Sequence, residues 1–221
     1  MKLSITTSRR SLTAVVGLIL ALATLTSQAV VSISSVSRLV SVPGSSETND
    51  AEGDFTDDVG SGLQTIEFFA SQSTIVSPTS YYGGGSVFAE SGSAGEAVSS
   101  GTVMFSLSEA YNYAYDVYLG AGAEFADAVG ASWALVGSGG AIAEFDTKSS
   151  TGGIGGGMLM AGDYTLSWDA AITAPALGGA YYEFALDLTP KKGDPGAVPE
   201  PGFFFPALLV LIGFASRRTR R

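Results

Sequence analysis

Asp163-Tyr164-Thr165-Leu166-Ser167-Trp168-Asp169-Ala170-Ala171-Ile172 is the stretch that decides the fold. Tyr164, Leu166, Trp168, Ala170 and Ile172 take alternate positions, with Asp163, Thr165, Ser167 and Asp169 between them. Successive strand side chains point to opposite faces, so this alternation predicts an antiparallel strand with one dry and one wet face. Val103, Phe105 and Leu107 repeat the pattern against Thr102, Ser106 and Ser108, interrupted only by Met104. So do Tyr182, Phe184, Leu186 and Leu188 against Glu183, Asp187 and Thr189.

Fainter runs of the same period begin at Leu63 and recur at Leu63 to Ala70, Ser73 to Ser77, Ser86 to Glu90, Ser132 to Val136 and Ala141 to Thr147. Glycine clusters at Tyr82 to Gly85, Ser91 to Ser93, Gly137 to Gly140 and Gly152 to Gly157 read as the turns between them. Roughly eight to ten short strands punctuated in this way predict an all-β body, a β-sandwich of jelly-roll type over residues 63–189. Residues 30–62 read as an acidic stalk, or a first strand plus linker, and 190–197 as a second, proline-bearing linker.

The chain has 221 residues, no cysteine and no histidine. Disulfides, thiolate nucleophiles, Ser-His-Asp triads and most zinc chemistry are thereby excluded, leaving carboxylates, Tyr, Lys and Ser for any catalysis. From Val30 to Val198 twenty acidic residues face four basic ones, Arg38, Lys148, Lys191 and Lys192, a formal net charge of −16. Such a body repels nucleic acid and attracts cations, so no nucleic-acid partner is expected.

Glu47 to Asp58 places acids at six of twelve positions, and Asp50, Glu52 and Asp54 are the candidate calcium ligands because hard cations take several carboxylate oxygens. The glycine sits at Gly53, two places short of its position in a helix-loop-helix calcium motif, and a solvated acidic linker is the plainer reading. Gly153 and Gly155 lack both a third glycine at Met158 and a following Lys-Ser or Lys-Thr, which removes a phosphate loop. Tyr111, Tyr113 and Tyr115 share a face that continues into Val117 and Leu119, so they read as core. Tyr81 and Tyr82, beside three glycines, are the candidate exposed aromatics for a sugar ligand. Paired carboxylates of the glycosidase kind are not singled out by any spacing, and no catalytic residue is assigned.

The two ends read as addresses. Lys2, Arg9 and Arg10, then an apolar run from Leu12 to Leu25, then Ser27-Gln28-Ala29 form the three-part layout of a secretory signal peptide over residues 1–29. Ser8-Arg9-Arg10-Ser11-Leu12 approaches the twin-arginine pattern but meets Thr13, and the general secretory route is the expectation. At the other end stand Val198-Pro199-Glu200-Pro201, an apolar segment from Phe203 to Ser216, and Arg217-Arg218-Thr219-Arg220-Arg221. As a helix, fourteen residues reach about 21 Å, short of the roughly 30 Å hydrocarbon core, which suits a transient membrane stop better than a permanent span.

These three ordered elements resemble the PEP-CTERM sorting signal of exopolysaccharide-producing bacteria, and the resemblance covers about residues 198–221. It implies processing by an exosortase, a membrane-embedded cysteine transpeptidase, near Pro199-Glu200-Pro201, after signal peptidase has acted, with delivery to the cell surface or extracellular matrix. Ala161 to Leu166 is similar to a late strand of such proteins. Their bodies are diverse, so the activity of this one is open. The expectation is a non-enzymatic structural or adhesive role in a biofilm, with a carbohydrate-binding module, calcium-assisted or not, as the alternative.

Overall fold

A computed structural model of the chain describes residues 29–61, 68–90, 95–123, 128–173 and 177–191. The signal-peptide stretch before Ala29 and the sorting stretch from Val198 to Arg221 lie outside the described residues. Twelve strands lie within them: Val31–Val42 (β1), Ser45–Asn49 (β2), Gly53–Ser61 (β3), Phe68–Ser77 (β4), Ser80–Ala89 (β5), Glu96–Leu107 (β6), Tyr111–Ala123 (β7), Val129–Gly137 (β8), Gly140–Asp146 (β9), Gly152–Leu159 (β10), Gly162–Thr173 (β11) and Gly178–Pro190 (β12). They form two antiparallel six-stranded sheets, β2-β1-β6-β11-β8-β9 and β10-β7-β12-β5-β4-β3, packed face to face as a sandwich.

From β5 onward the strands are nested first with last: β5 pairs with β12, β6 with β11, β7 with β10 and β8 with β9. The amino-terminal strands extend this arrangement, β1 pairing with β6 and β4 with β5. Of the two readings of this region the first strand is the one seen, β1, while the stretch expected to be stalk or linker carries β2 and β3. Val36, Val40, Val42, Phe55 and Val59 from this region enter the core, so the sandwich begins at Val31. The weak sequence signal over β2 and β3 follows from their edge positions, where strands bury fewer side chains and carry charge.

The inner faces are those the alternation predicts. Leu166, Trp168, Ala170 and Ile172 of β11 are buried, as are Val103, Phe105 and Leu107 of β6 and Tyr182, Phe184, Leu186 and Leu188 of β12. Aromatic stacks knit the two sheets together: Tyr81 of β5 lies 5.3 Å from Phe105 of β6, and Tyr115 of β7 lies 5.5 Å from Trp133 of β8.

Two glycine clusters differ from the turn reading. Gly83-Gly84-Gly85 lies in the middle of β5, and Gly152 to Gly157 makes up most of β10. The reason is visible across each ladder. Gly83 stands opposite Phe184 and Gly85 opposite Tyr182; Gly155 stands opposite Tyr115 and Gly157 opposite Tyr113. Gly101 likewise faces Trp168, Gly120 faces Tyr181 and Gly137 faces Tyr164. In each pair the ring lies over the glycine, so that a Cβ at Gly83 would come within 2.6 Å of Phe184 Cε1. These glycines are slots for rings on the neighbouring strand, the way glycine is accommodated within sheets elsewhere.

Four polar side chains are buried among the described residues: Arg38, Gln72, Thr74 and Ser99. They tie one sheet to the other. Ser99 Oγ of β6 donates to Ser71 O of β4 at 2.8 Å and pairs with Tyr182 OH of β12 at 2.9 Å. With its amide turned to satisfy both sides, Gln72 of β4 accepts from Trp168 Nε1 at 2.9 Å and donates to Leu39 O and Ser100 O. Arg38 of β1 reaches Thr74 of β4. A buried polar group left unpaired costs about 1–3 kcal/mol, so these bonds also disfavour any sliding of one sheet over the other.

Replacing Gly85 by alanine is expected to destabilise the protein by about 1–3 kcal/mol through overpacking against Tyr182 and Ser99. Gly122→Ala, at a strand position with nothing within 4 Å, is expected to change stability by less than about 0.5 kcal/mol or to raise it slightly. Urea unfolding of the two variants beside the parent measures the difference; equal effects would refute the slot assignment.

Candidate functional site

The second sheet presents to solvent the residues that alternate with its core. Along β12 these are Tyr181, Glu183, Ala185 and Asp187, and along β7 they include Asp116 and Tyr118. Two rows cross the strands. Asp58, Ser71, Ser86 and Tyr181 are register partners in succession, and so are Thr56, Ser73, Gly84, Glu183 and Tyr118. Small residues thus form a floor across β4 and β5 while large ones rise at its margins. The result is an open groove of about 1010 Å³.

Tyr118 and Tyr181 form one wall, their ring centroids 5.7 Å apart. A hydrogen bond with Tyr118 raises the pKa of the Tyr181 hydroxyl above the ordinary phenol value. Ile75, Tyr82 and Ala185 are register partners in the row at one end of the floor, and Phe69 lies in the row beyond its other end. Tyr82 is 41 % exposed and donates to Asp187 Oδ1 at 2.6 Å, a bond that raises its own pKa. The floor hydroxyls pair with each other, Ser71 with Ser86 at 2.9 Å and Thr56 with Ser73 at 3.1 Å. Asp58, Asp116 and Glu183 supply carboxylates, and among the described residues no lysine or arginine lines the groove. Ring faces beside hydroxyls and carboxylates can stack on the apolar face of a sugar and accept from its hydroxyl groups.

Of the two tyrosines expected to be exposed, only Tyr82 is. Tyr81 is completely buried, its ring on Phe105 and its hydroxyl donating to Pro78 O at 3.2 Å; burial pushes that hydroxyl well above its ordinary pKa. Adjacent strand residues point to opposite faces, so the two could not share a site. Both tryptophans, Trp133 and Trp168, are core. Tyr111 is buried and Tyr113 and Tyr115 pack against the core, as their shared face predicts. Tyr118 and Tyr181 were the missed aromatics, and their signal was position: each falls on the polar side of its strand's alternation.

The calcium candidates have a different occupation. The turn from Asn49 to Gly53 wraps the guanidinium of Arg38, which is 1 % exposed. Arg38 Nη1 donates to Gly53 O at 2.9 Å, and Nη2 donates to Asn49 Oδ1 at 2.6 Å and to Ala51 O. The Arg38 cation also lies 5.2 Å from the centroid of the Phe55 ring. Burial lowers its pKa, with Asp54 acting in the opposite direction. The side chains of Asp50, Glu52 and Asp54 are exposed, and among the described residues no group of three or more acids is placed to hold a metal ion. The turn directs its carbonyls onto a cation the chain itself provides.

On the other sheet one carboxyl is shifted upward. Asp169 of β11 is half-buried in a hollow of about 350 Å³ lined by Ser37, Ser100, Thr102, Ser132 and Ser167. Burial, reinforced by Glu96, pushes its pKa up to about 6. Lys148 lines the adjoining hollow that Asp169 also borders.

No protein-family model matches the chain, and no curated protein matches it.

Because the pKa of Asp169 is higher folded than unfolded, the folded state binds more protons between about pH 4 and 6, and stability falls as pH rises through that window. Asp169→Asn is expected to flatten this fall and raise the melting temperature at pH 7. Thermal unfolding at a series of pH values reads it; an unchanged slope rejects the assignment.

Proposed function

We propose that this chain is an exported surface or matrix protein that acts without catalysis, by adhesion, with the outer-face groove of the second sheet as its contact to polysaccharide. The observation that carries the adhesive part is the groove itself: three exposed tyrosines, Tyr82, Tyr118 and Tyr181, around a floor of glycine, serine and alanine. Its acidic lining, with no basic group among the described residues, favours a neutral chain over an anionic one. Its volume lies at the top of the roughly 300–1,000 Å³ range for small-molecule sites, room for an oligosaccharide rather than a single sugar. The first-with-last nesting of β5 to β12 is the winding of a jelly roll, and we read the body as one.

The sorting reading rests on the tail. Val198 to Pro201, the apolar segment Phe203 to Ser216 and the arginines at 217, 218, 220 and 221 resemble the signal handled by an exosortase. The signal-peptide layout at the amino end supports export, with passage through the inner membrane before arrival at the surface or matrix. On this reading an intact mass of the protein from its own producing cells corresponds to a chain starting at Val30 and ending near Pro199-Glu200-Pro201. An unprocessed carboxyl end would refute the exosortase route.

Titration with neutral oligosaccharides by calorimetry tests the groove. Tyr118→Ala with Tyr181→Ala is expected to weaken binding by roughly tenfold or more, since stacked aromatic anchors each contribute on the order of 1 kcal/mol. Binding that survives the double substitution, or no binding to any glycan tried, would remove the groove from the proposal.

A further inference from the structure

Four strands end the two sheets, and three of them carry acids: Glu47 on β2, Asp54, Asp57 and Asp58 on β3, and Glu144 and Asp146 on β9. Charge on an edge strand discourages other chains from pairing with it. The fourth, β10, reads Gly-Gly-Ile-Gly-Gly-Gly-Met-Leu and has neither charge nor proline. It is the one edge among the described residues left without that protection.

The geometry of β10 is self-complementary. Leu119 N donates to Thr151 O at 2.8 Å, so by strand alternation the odd-numbered backbone groups of β10 turn toward β7. Those of Gly152, Ile154, Gly156 and Met158 turn to the free edge. The side chains of Ile154 and Met158 stand on the outer face, Ile154 83 % exposed. We propose that β10 pairs with β10 of a second copy, antiparallel about a two-fold axis at Gly156, joining two six-stranded sheets into one. Ile154 then lies opposite the second copy's Met158 and the reverse, and both apolar pairs gain cross-strand contacts.

Charge selects the edge at which two copies can meet. With a net −16 on the stretch from Val30 to Val198, two copies repel at their acidic edges. The rows created at β10 avoid that. Asp116 is the register partner of Ile154 and Asn112 that of Met158, so the joined row runs Asp116, Ile154, Met158, Asn112, with no two carboxylates in it. The central row is Ala114, Gly156, Gly156, Ala114. Beside it, Glu144 and Asp146 keep β9 from joining its counterpart, so the junction forms through one sheet alone. This inference is independent of export and of the sugar groove.

Sedimentation equilibrium of the full chain in a density-matched non-ionic detergent tests it. The parent is expected to be a dimer in reversible equilibrium, and Ile154→Glu with Met158→Glu to weaken association by about tenfold or more, because like charges then stand directly opposite. Both positions are exposed, and an unchanged circular dichroism spectrum checks the fold. The chain has no cysteine, which permits a second measurement. Ile154→Cys with Met158→Cys is expected to give a disulfide-linked dimer on mild oxidation, whereas Asp58→Cys on β3 is not. A monomer at every concentration, a dimer indifferent to the glutamates, or equal cross-linking through β3 would each overturn the proposal.

Discussion

The sandwich depends on one repeated cross-strand interaction, a glycine on one strand and an aromatic ring on its register partner. Phe184 and Tyr182 lie over Gly83 and Gly85, Trp168 over Gly101, and Tyr115 and Tyr113 over Gly155 and Gly157. The arrangement reconciles two facts that conflict in isolation. Glycine weakens strands, yet 29 glycines populate this chain and several lie in strand interiors. Large rings on neighbouring strands would crowd one another if every partner carried a side chain, and glycine relieves that crowding while the ring shields its bare backbone.

The same economy of space shapes the surfaces. On the inner side the rings reach across to the facing sheet, as Tyr115 does to Trp133 and Phe145. On the outer side of the second sheet, Gly84 between Ser73 and Glu183 keeps the floor low, and Tyr118 and Tyr181 rise at its margin. A groove forms because small residues align across strands. The hollow around Asp169 on the first sheet arises alike, from Ser37, Ser100, Thr102 and Ser132 standing around one carboxyl.

Charge divides the molecule differently from apolarity. The buried cation Arg38 gathers the carbonyls of Ala51 and Gly53 and the amide oxygen of Asn49, and so turns an acidic segment into the corner between the two sheets. The carboxylates of that segment stay outside. Acids on β2, β3 and β9 guard three edges, while β10 trades charge for the glycines that Tyr113 and Tyr115 require. Adhesion through a groove and association through an edge would occupy different parts of one sheet, compatible with a protein that works in an extended matrix.

The strands of β6, β11 and β12 were legible from period-two alternation, because each has one face in the core and one in water. The absence of cysteine and histidine and the acidic charge also needed only the sequence. β10 and the centre of β5 were not legible, since a glycine carries no side chain to declare a face. Whether it marks a turn or a ring slot depends on a partner dozens of residues away: Tyr115 for Gly155, Phe184 for Gly83. The groove was half legible for the same reason. An aromatic on a polar strand face flags Tyr118 and Tyr181 singly, but only the pairing of β7 with β12 brings them together, and only alternation along β5 sends Tyr82 outward and Tyr81 into the core. Local pattern therefore determined which segments are strands with two unlike faces; register between distant strands, a property of the folded sheet alone, decided what each glycine is for and which side chains share a surface.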